Sequence, residues 1–285
     1  MNTLREAVQE YLDLRRSLGF KLHSAGAALL DFVTFMEKRR ASYITSGLAL
    51  SWAQQPSTVQ PTEWARRLSW VRGFACYRSA TDPRTEIPPE GWLPYRPRRA
   101  QPYLYTDGEI RHLLRAALAL PPNGLRPWTY HCLFGLLSVS SMRLGEARNL
   151  ELQDVDLKSA VLTIRAAKFG KSRLIPLHAS TAQVLADYIA RRERFFAGRA
   201  VSAYLLVTSR GNRLDVGDIH RTFYVLSRKI GLRGATDSHG PRLHDMRHRF
   251  AHWTLLRWYR ANEDVERRLP ILSTYLAARG SSLYL

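Results

Sequence analysis

One short stretch, residues 241–252, concentrates side chains that could act on a phosphate group. In a helix, spacings of three and four residues place His244, Arg247 and His248 on one face. A histidine transfers protons near neutral pH, and an arginine presents five donors in a fixed geometry that suits phosphate oxygens. The opposite face carries the apolar side chains expected to anchor the helix, Met246, Phe250 and Trp253. The stretch therefore predicts a phosphate-binding helix face that can also move a proton.

Two other interpretations of this stretch compete with that one. A chain with many arginines can simply expose a solvated basic helix face. A zinc site is the second, because His244, His248 and His252 are four residues apart and two such histidines can share the metal. The helical zinc motif also needs a glutamate after its first histidine, whereas Asp245 stands there and Arg247 adds a cation between the ligands. We therefore expect no metal and no other cofactor.

The composition of the whole chain indicates its partner. The 285 residues are enough for two domains, and 43 Lys and Arg against 24 Asp and Glu give a formal net charge of +19. Such an excess favours nucleic acid as the partner class, because clustered basic side chains release counterions from a phosphate backbone. An anionic membrane surface is the competing partner, but no apolar run approaches the about 20 residues that span a bilayer. Cys76 and Cys132 form no disulfide pattern, which predicts a cytoplasmic protein.

The first 81 residues predict four short helices, beginning with a capping box formed by Thr3 and Glu6. Residues 82–102 are rich in proline, which excludes long helices and indicates a linker. Both segments carry exposed basic residues that we expect to contact DNA, and the alternative is that they are only solvated. These candidates are Arg66, Arg67 and Arg72 in the helices and Arg96, Arg98 and Arg99 in the linker.

From residue 103 onward the pattern is mixed. Helix signals begin at a second capping box, Thr106 and Glu109, and residues 128–137 are apolar on most sides. Arg143 follows this buried helix, and Glu146 is close enough in sequence to bind its guanidinium. Two β-rich runs, 161–164 and 173–177, predict a hairpin. Its tip carries the basic residues Lys168, Lys171 and Arg173, of which the last two are expected to contact DNA.

Together these features resemble the tyrosine recombinases, or phage integrase family. The resemblance covers nearly the whole chain and rests on three motifs in the right order: Arg143 in Met-Arg-Leu-Gly-Glu, Lys168 before Phe-Gly-Lys-Ser-Arg-Leu-Ile-Pro-Leu, and His244-Asp-Met-Arg247-His248. It implies a mainly α fold with a small β-sheet. The expected domains are a helical core-binding domain of the SAM-like type (1–81), the linker (82–102) and an α+β catalytic domain (103–285).

The resemblance also implies a chemistry and its residues. Arg143 and Arg247 would hold the scissile phosphate, Lys168 would protonate the leaving 5′ oxygen, and His244 would assist proton transfer. Glu146 and His248 would support this pocket. A 3′-phosphotyrosyl intermediate conserves the energy of the broken diester, so no metal or nucleotide is needed. The family acts as tetramers on duplex DNA, and the implied role is DNA integration and recombination for a mobile genetic element.

The C-terminal residues depart from the family pattern. Ala277 and Ala278 stand where the family has Gly-His before its nucleophilic tyrosine, and Tyr284 is the tyrosine nearest the expected place. The chain also lacks the family's following helix, and Ser141 replaces a common glycine. Two expectations stay open: a working recombinase with Tyr284 as nucleophile, or a truncated, catalytically inactive relative that only binds DNA. A type IB topoisomerase is a minor third possibility.

Overall fold

The computed structural model describes residues 3–94, 101–122, 124–165, 172–237 and 239–276. The chain divides into two compact units, Met1–Ala100 and Gln101–Leu285, and this division falls within the predicted linker. Helices dominate, and the single sheet of the described residues has three strands. The predicted fold class, mainly α with a small β-sheet, is confirmed. The exact domain bounds and the DNA-binding role of the first unit stay predictions.

The first unit is a bundle of four helices around one apolar core. Its helices are α1 (Leu4–Ser17), α2 (His23–Lys38), α3 (Ser46–Gln54) and α4 (Pro61–Arg78). The predicted capping box is present, because Thr3 Oγ1 accepts from the Glu6 amide at 3.2 Å and Glu6 accepts from the Thr3 amide at 2.8 Å. Trp52 is fully buried and donates to Asp31 at 2.9 Å, so even the polar edge of the core is satisfied.

The beginning of the proline-rich segment is part of this unit. Arg72 donates to the carbonyl oxygens of Pro88 and Pro89, each at 2.8 Å. The amide of Glu86 donates to Ile44 at 2.9 Å. Prolines have no backbone N–H, so a proline-rich segment offers few donors to its own carbonyl oxygens. An arginine from α4 is therefore well suited to hold this segment against the bundle.

The second unit contains a three-stranded antiparallel sheet of order β1-β2-β3, whose buried residues share one core with the helices. Its helices are α5 (Asp107–Leu118), α6 (Arg126–Ser140), α7 (Leu144–Asn149), α8 (Ala179–Phe195), α9 (Val216–Lys229), α10 (Asp245–Arg260) and α11 (Val265–Tyr275). The strands are β1 (Val155–Asp156), β2 (Val161–Ile164) and β3 (Arg173–Pro176). The predicted hairpin is confirmed by the pairing of Ile164 with Arg173 and of Val161 with Pro176. Its tip lies outside the described residues.

Helix α6 is the centre of this unit. It packs against α5, α7, α8 and α10, and nearly all its apolar residues are buried, as the continuous apolar run predicted. A helix buried on most sides cannot shift without creating cavities, which cost several kcal/mol in protein cores (roughly 2–5 for a Leu deletion). The residues that follow α6 are therefore placed on a rigid support.

The prediction for the apolar face of α10 is partly wrong. Met246 is buried, but Phe250 is only partly buried and Trp253 is 39% exposed. The second half of α10 packs against α11 through Leu255, so the buried stripe turns away from Trp253. No helix among the described residues has the length and apolar character needed to cross a bilayer.

Candidate active site

The first arginine of the site is placed by the end of α6. Ser141 adopts a left-handed conformation, with φ 53° and ψ 14°, which ends the helix and turns the chain toward α7. Arg143 then lies at the N-terminus of α7 in an extended conformation. Its amide donates to Glu146 Oε2 at 2.9 Å and its Nη1 donates to Glu146 Oε1 at 2.8 Å. The predicted contact between Arg143 and Glu146 is confirmed.

A second arginine reaches the same carboxylate from the sheet. Arg173, the first residue of β3, donates through Nη1 to Glu146 Oε1 at 3.1 Å and through Nη2 to Oε2 at 2.7 Å. The two side chains are only 11% and 8% exposed. Arg173 was predicted to contact DNA from the hairpin, but its guanidinium is turned into the unit and occupied by this two-point ion pair.

Glu146 is held ionised by these partners. Burial by itself raises the pKa of a carboxyl group, but the hydrogen bonds from Arg173 and Arg143 outweigh it, and the pKa of Glu146 lies below its ordinary value. The carboxylate is therefore negative at neutral pH. It compensates part of the positive charge around it.

A third arginine comes from α10. Arg247 Nη1 donates to the carbonyl oxygen of Ser141 at 2.5 Å, which joins α10 to the end of α6. Burial, and after it the charge of the nearby Arg143, lowers the pKa of Arg247 to about 10. Arg247 stays protonated at neutral pH. The described part of this pocket thus holds three guanidinium groups and one carboxylate, Arg143, Arg173, Arg247 and Glu146, which favours an anionic ligand.

Two histidines lie beside the arginines. The rings of His244 and His248 are 5.1 Å apart with an angle of 84° between their planes. Burial lowers the pKa of His244, and the charges of His248 and Arg247 lower it as well. Burial also lowers the pKa of His248. Both rings are therefore neutral at pH 7, which lets His244 accept a proton during a reaction.

Several supporting residues were missed by sequence reasoning. Asp245 is buried and accepts three hydrogen bonds from Arg242, through its amide at 2.9 Å, Nε at 3.2 Å and Nη2 at 2.7 Å. Tyr105 donates to the Arg242 carbonyl at 3.0 Å, and Arg249 donates to the Tyr105 carbonyl at 2.8 Å. The three-residue spacing of Arg242 and Asp245 could have predicted their ion pair from the sequence. The role of Tyr105, far away in sequence, was not visible.

The arginines predicted to bind DNA from the first unit differ in their surroundings. Arg66 is half exposed and pairs with Glu63 at 2.5 Å. Arg67 is mostly buried, lies 3.8 Å from the Trp52 ring centroid and donates to the Trp52 carbonyl at 3.3 Å. Arg72 holds the proline-rich segment, as described above. Only Arg66 among these three keeps a largely accessible guanidinium, and DNA contact by any of them stays a prediction.

The remaining predicted site residues lie outside the described residues: Lys168, Lys171, Tyr284, Arg96, Arg98 and Arg99. Within the described part, Tyr275 at the end of α11 is the tyrosine tied to the pocket. Its ring stacks on Phe250, with centroids 5.5 Å apart. Burial raises its pKa, while the charge of Arg173 acts in the opposite direction. No group of His, Cys, Asp and Glu suited to a metal ion was found among the described residues.

Comparison with known proteins identifies the family. The model of the phage integrase family matches residues 106–257, which include Arg143, Glu146, His244 and Arg247. A putative integrase/recombinase, y4rB of Sinorhizobium fredii (strain NBRC 101917 / NGR234), is 64% identical over 280 residues, covering 97% of this chain and 89% of the relative. A second one, y4rE of the same strain, is 33% identical over 275 residues, covering 96% and 87%.

Solved structures show the same fold. A lambda integrase tetramer bound to a Holliday junction matches with a TM-score of 0.63 at 16% identity, covering 100% of this chain and 80% of the other. The Tn1549 transposon integrase in complex with transposon right end DNA matches with a TM-score of 0.64 at 14% identity, covering 96% and 91%. The family model and the long alignments decide the assignment: the chain belongs to the phage integrase family, the tyrosine recombinases.

Proposed function

We propose that the protein is a site-specific recombinase or integrase that cuts and rejoins duplex DNA through a 3′-phosphotyrosyl intermediate. The observation that carries the proposal is the convergence of Arg143, at the N-terminus of α7, and Arg247, in α10, beside the neutral His244. Two fixed cations next to a proton acceptor suit the pentacoordinate transition state of a phosphodiester exchange, where charge grows on the non-bridging oxygens.

Each group has a defined part in the proposed reaction. Tyr284 is the proposed nucleophile: its oxygen bonds to phosphorus while the bond from phosphorus to the 5′ oxygen breaks. His244 takes the tyrosine proton, and Lys168 gives a proton to the leaving 5′ oxygen. Arg143 and Arg247 stabilise the negative charge on the phosphate. Rejoining is the reverse, with a 5′ hydroxyl attacking the phosphotyrosine, so no external energy source or metal is required.

Duplex DNA is the proposed partner, with self-association on it as tetramers. The net charge of +19 supports this partner, and so do the DNA complexes of the structural relatives, one of which is a tetramer on a Holliday junction. The biological setting that we propose is recombination of a mobile genetic element in the cytoplasm. The relationship to two putative integrases supports that setting.

A DNA-binding protein that does not cut is the second candidate. Ala277 and Ala278 favour it, because they provide no imidazole where the family has Gly-His before its tyrosine. Such a protein would keep the phosphate pocket and the basic surfaces.

Trapping a covalent adduct distinguishes the two candidates. The substrate is a duplex that this protein selects from a library with a randomised core. It is prepared with a nick beside the selected site. When the protein cuts there, the short fragment carrying the 5′ hydroxyl dissociates, so rejoining is blocked. We expect a protein–DNA adduct that survives denaturation, and we expect Tyr284→Phe to remove it. Loss of the adduct in Tyr275→Phe instead would move the nucleophile to Tyr275. Specific binding without any adduct would favour the second candidate.

Arg247→Ala separates pocket chemistry from binding. It should abolish the adduct while keeping most of the affinity, because one pocket cation is a small part of a DNA footprint. Binding should also weaken steeply with salt, with a log–log slope of about −0.9 for each neutralised phosphate. Affinity that does not change with salt would contradict the proposed electrostatic interface.

A further inference from the structure

Glu146 is hydrogen-bonded by two arginines, Arg143 and Arg173, which differ in their exposure to solvent. Its carboxylate accepts two hydrogen bonds from Arg143 and two from Arg173 among the described residues. The Arg143 side chain is 27% exposed, as expected for a group that meets substrate, whereas Arg173 is 11% exposed. Arg173 is thus the less accessible of the two cations and the one that binds the carboxylate with both ends of its guanidinium.

The geometry points to Arg173 as a positioning residue for the phosphate pocket: by binding Glu146 at two points, it fixes the carboxylate that in turn orients Arg143. This inference rests on the proposed function, in which Arg143 holds the scissile phosphate. Arg173 itself is not assigned a contact with DNA.

Arg173 is needed because, without it, Glu146 would bind Arg143 differently. A buried carboxylate seeks as many donors as it can reach, because an unsatisfied buried charge is costly. With Arg173 occupying one edge of both oxygens, Glu146 takes only Nη1 and the amide of Arg143. Without Arg173, we expect Glu146 to draw the Arg143 guanidinium into its own two-point pair. That movement would turn donors away from the phosphate.

The position of Arg173 in the sheet makes it a rigid support. It is the first residue of β3 and pairs with Ile164 of β2, so its backbone is held by the antiparallel ladder. Its charge also acts on the pKa of Arg247 in α10 and on that of Tyr275 at the end of α11. A lysine at this position would keep the charge but could not form the planar pair of hydrogen bonds to both carboxylate oxygens.

The sheet offers a matched control. Arg165, just beyond β2, pairs with the buried carboxylate of Asp154 at 2.5 Å. Arg165→Gln removes the same charge and also breaks an ion pair to a buried acid. Asp154, however, has no hydrogen bond to Arg143 or Arg247 among the described residues. The control therefore tests whether any loss of an arginine from the sheet has the same effect.

The first experiment measures the rate of adduct formation with the nicked duplexes. We expect Arg173→Gln to slow it roughly 10- to 100-fold, the usual effect of removing a group that orients a site residue. Arg173→Lys should recover only part of the rate, and Arg165→Gln should stay within about twofold of the unmodified protein, as for sites without shared partners. An equal loss in Arg165→Gln, or full activity in Arg173→Gln, would overturn the inference.

A double variant tests whether the effect passes through Glu146. Arg173→Gln combined with Glu146→Gln should be no slower than the worse single variant, because residues acting through one contact are not additive. Multiplied losses would mean that Arg173 acts independently, and the inference would be wrong. Lowering the pH should reduce the rate of adduct formation in both the unmodified protein and Arg173→Gln. In Arg173→Gln this decline should begin at a higher pH, because Glu146 then has fewer hydrogen-bond donors and is protonated more readily.

A measurement on the free protein keeps this inference separate from the proposed function. The Nε–H resonance of Arg143 in an NMR spectrum can be assigned by its loss in Arg143→Lys. We expect that resonance to shift in Arg173→Gln but not in Arg165→Gln, because the Arg143 guanidinium would turn toward Glu146. If the unmodified protein forms no adduct, the cutting proposal fails, and this resonance alone decides the role of Arg173: an unchanged signal would overturn it.

Discussion

Replacing Glu146 with glutamine should destabilise the second unit strongly. The carboxylate is nearly buried, with 8% of its side chain exposed, and it accepts four hydrogen bonds from two guanidinium groups and one amide. A glutamine keeps the shape but offers one acceptor oxygen and places an NH2 group against an arginine. Three arginines would then share a pocket without a counter-charge, Arg143, Arg173 and Arg247.

The magnitude follows from the burial of the pair. Removing one partner of a buried ion pair costs about 3–5 kcal/mol because the other charge is left uncompensated. For a unit of this size, 1 kcal/mol corresponds to roughly 2–4 °C in Tm, so the loss should be on the order of 10 °C. Asp218→Asn in the same unit is the control. Both side chains of the Asp218–Arg221 pair are more than half exposed, and such a surface pair contributes at most about 1 kcal/mol.

The stabilising contribution of Glu146 should depend on pH. The pKa of Glu146 is lowered in the folded protein, so its stabilising contribution is complete above the ordinary glutamate pKa, near 4.5. It is lost as the pH falls through the lower folded pKa. The stability gap between the unmodified protein and Glu146→Gln should therefore be wide at pH 7 and shrink below pH 4.5.

Urea unfolding at pH 7 and pH 4, followed by circular dichroism, measures this gap for both substitutions. The reasoning would be refuted if Glu146→Gln were no worse than Asp218→Asn at pH 7. It would also be refuted if the gap did not change with pH, because the contribution would then not come from an ionised carboxylate.

Three further outcomes are expected. Ser141→Gly should raise the free energy of unfolding by about 0.5–1 kcal/mol in urea titrations, because its left-handed backbone (φ 53°) strains any side chain; a loss would show that the serine hydroxyl is needed. His248→Gln should raise the pKa of His244, followed by NMR, because one of the charges that lower it disappears; an unchanged value would mean that burial and the arginine charges lower it without His248. Asp245→Asn should cost about 1–3 kcal/mol in urea unfolding by leaving Arg242 without its carboxylate, and a neutral result would contradict that role.

Local sequence alone determined the helix starts and one half of the pocket. The capping boxes at Thr3 and Thr106 form between residues three apart, so their partners are visible in the sequence. The contact of Arg143 with Glu146 has the same spacing. The β-rich runs and the continuous apolar run likewise predicted the hairpin strands and the buried α6. The capping boxes and the contact of Arg143 with Glu146 each lie within one turn of chain.

The tertiary structure decided how the arginines are used. Arg173 meets Glu146 across 27 residues, Arg247 meets Ser141 across 106, and Arg249 meets Tyr105 across 144. A guanidinium on a long side chain can bind a phosphate, a protein carboxylate or a carbonyl, so its residue type does not reveal which partner it has. In the second unit, the packing of α6, α10 and β3 brings these acceptors within reach of Arg173 and Arg247. In the first unit, the proline-rich segment packed on α4 supplies the carbonyl partners of Arg72. The exposed Trp253 has the same origin, since the position of α11, and not helical periodicity, determines which side of α10 is covered.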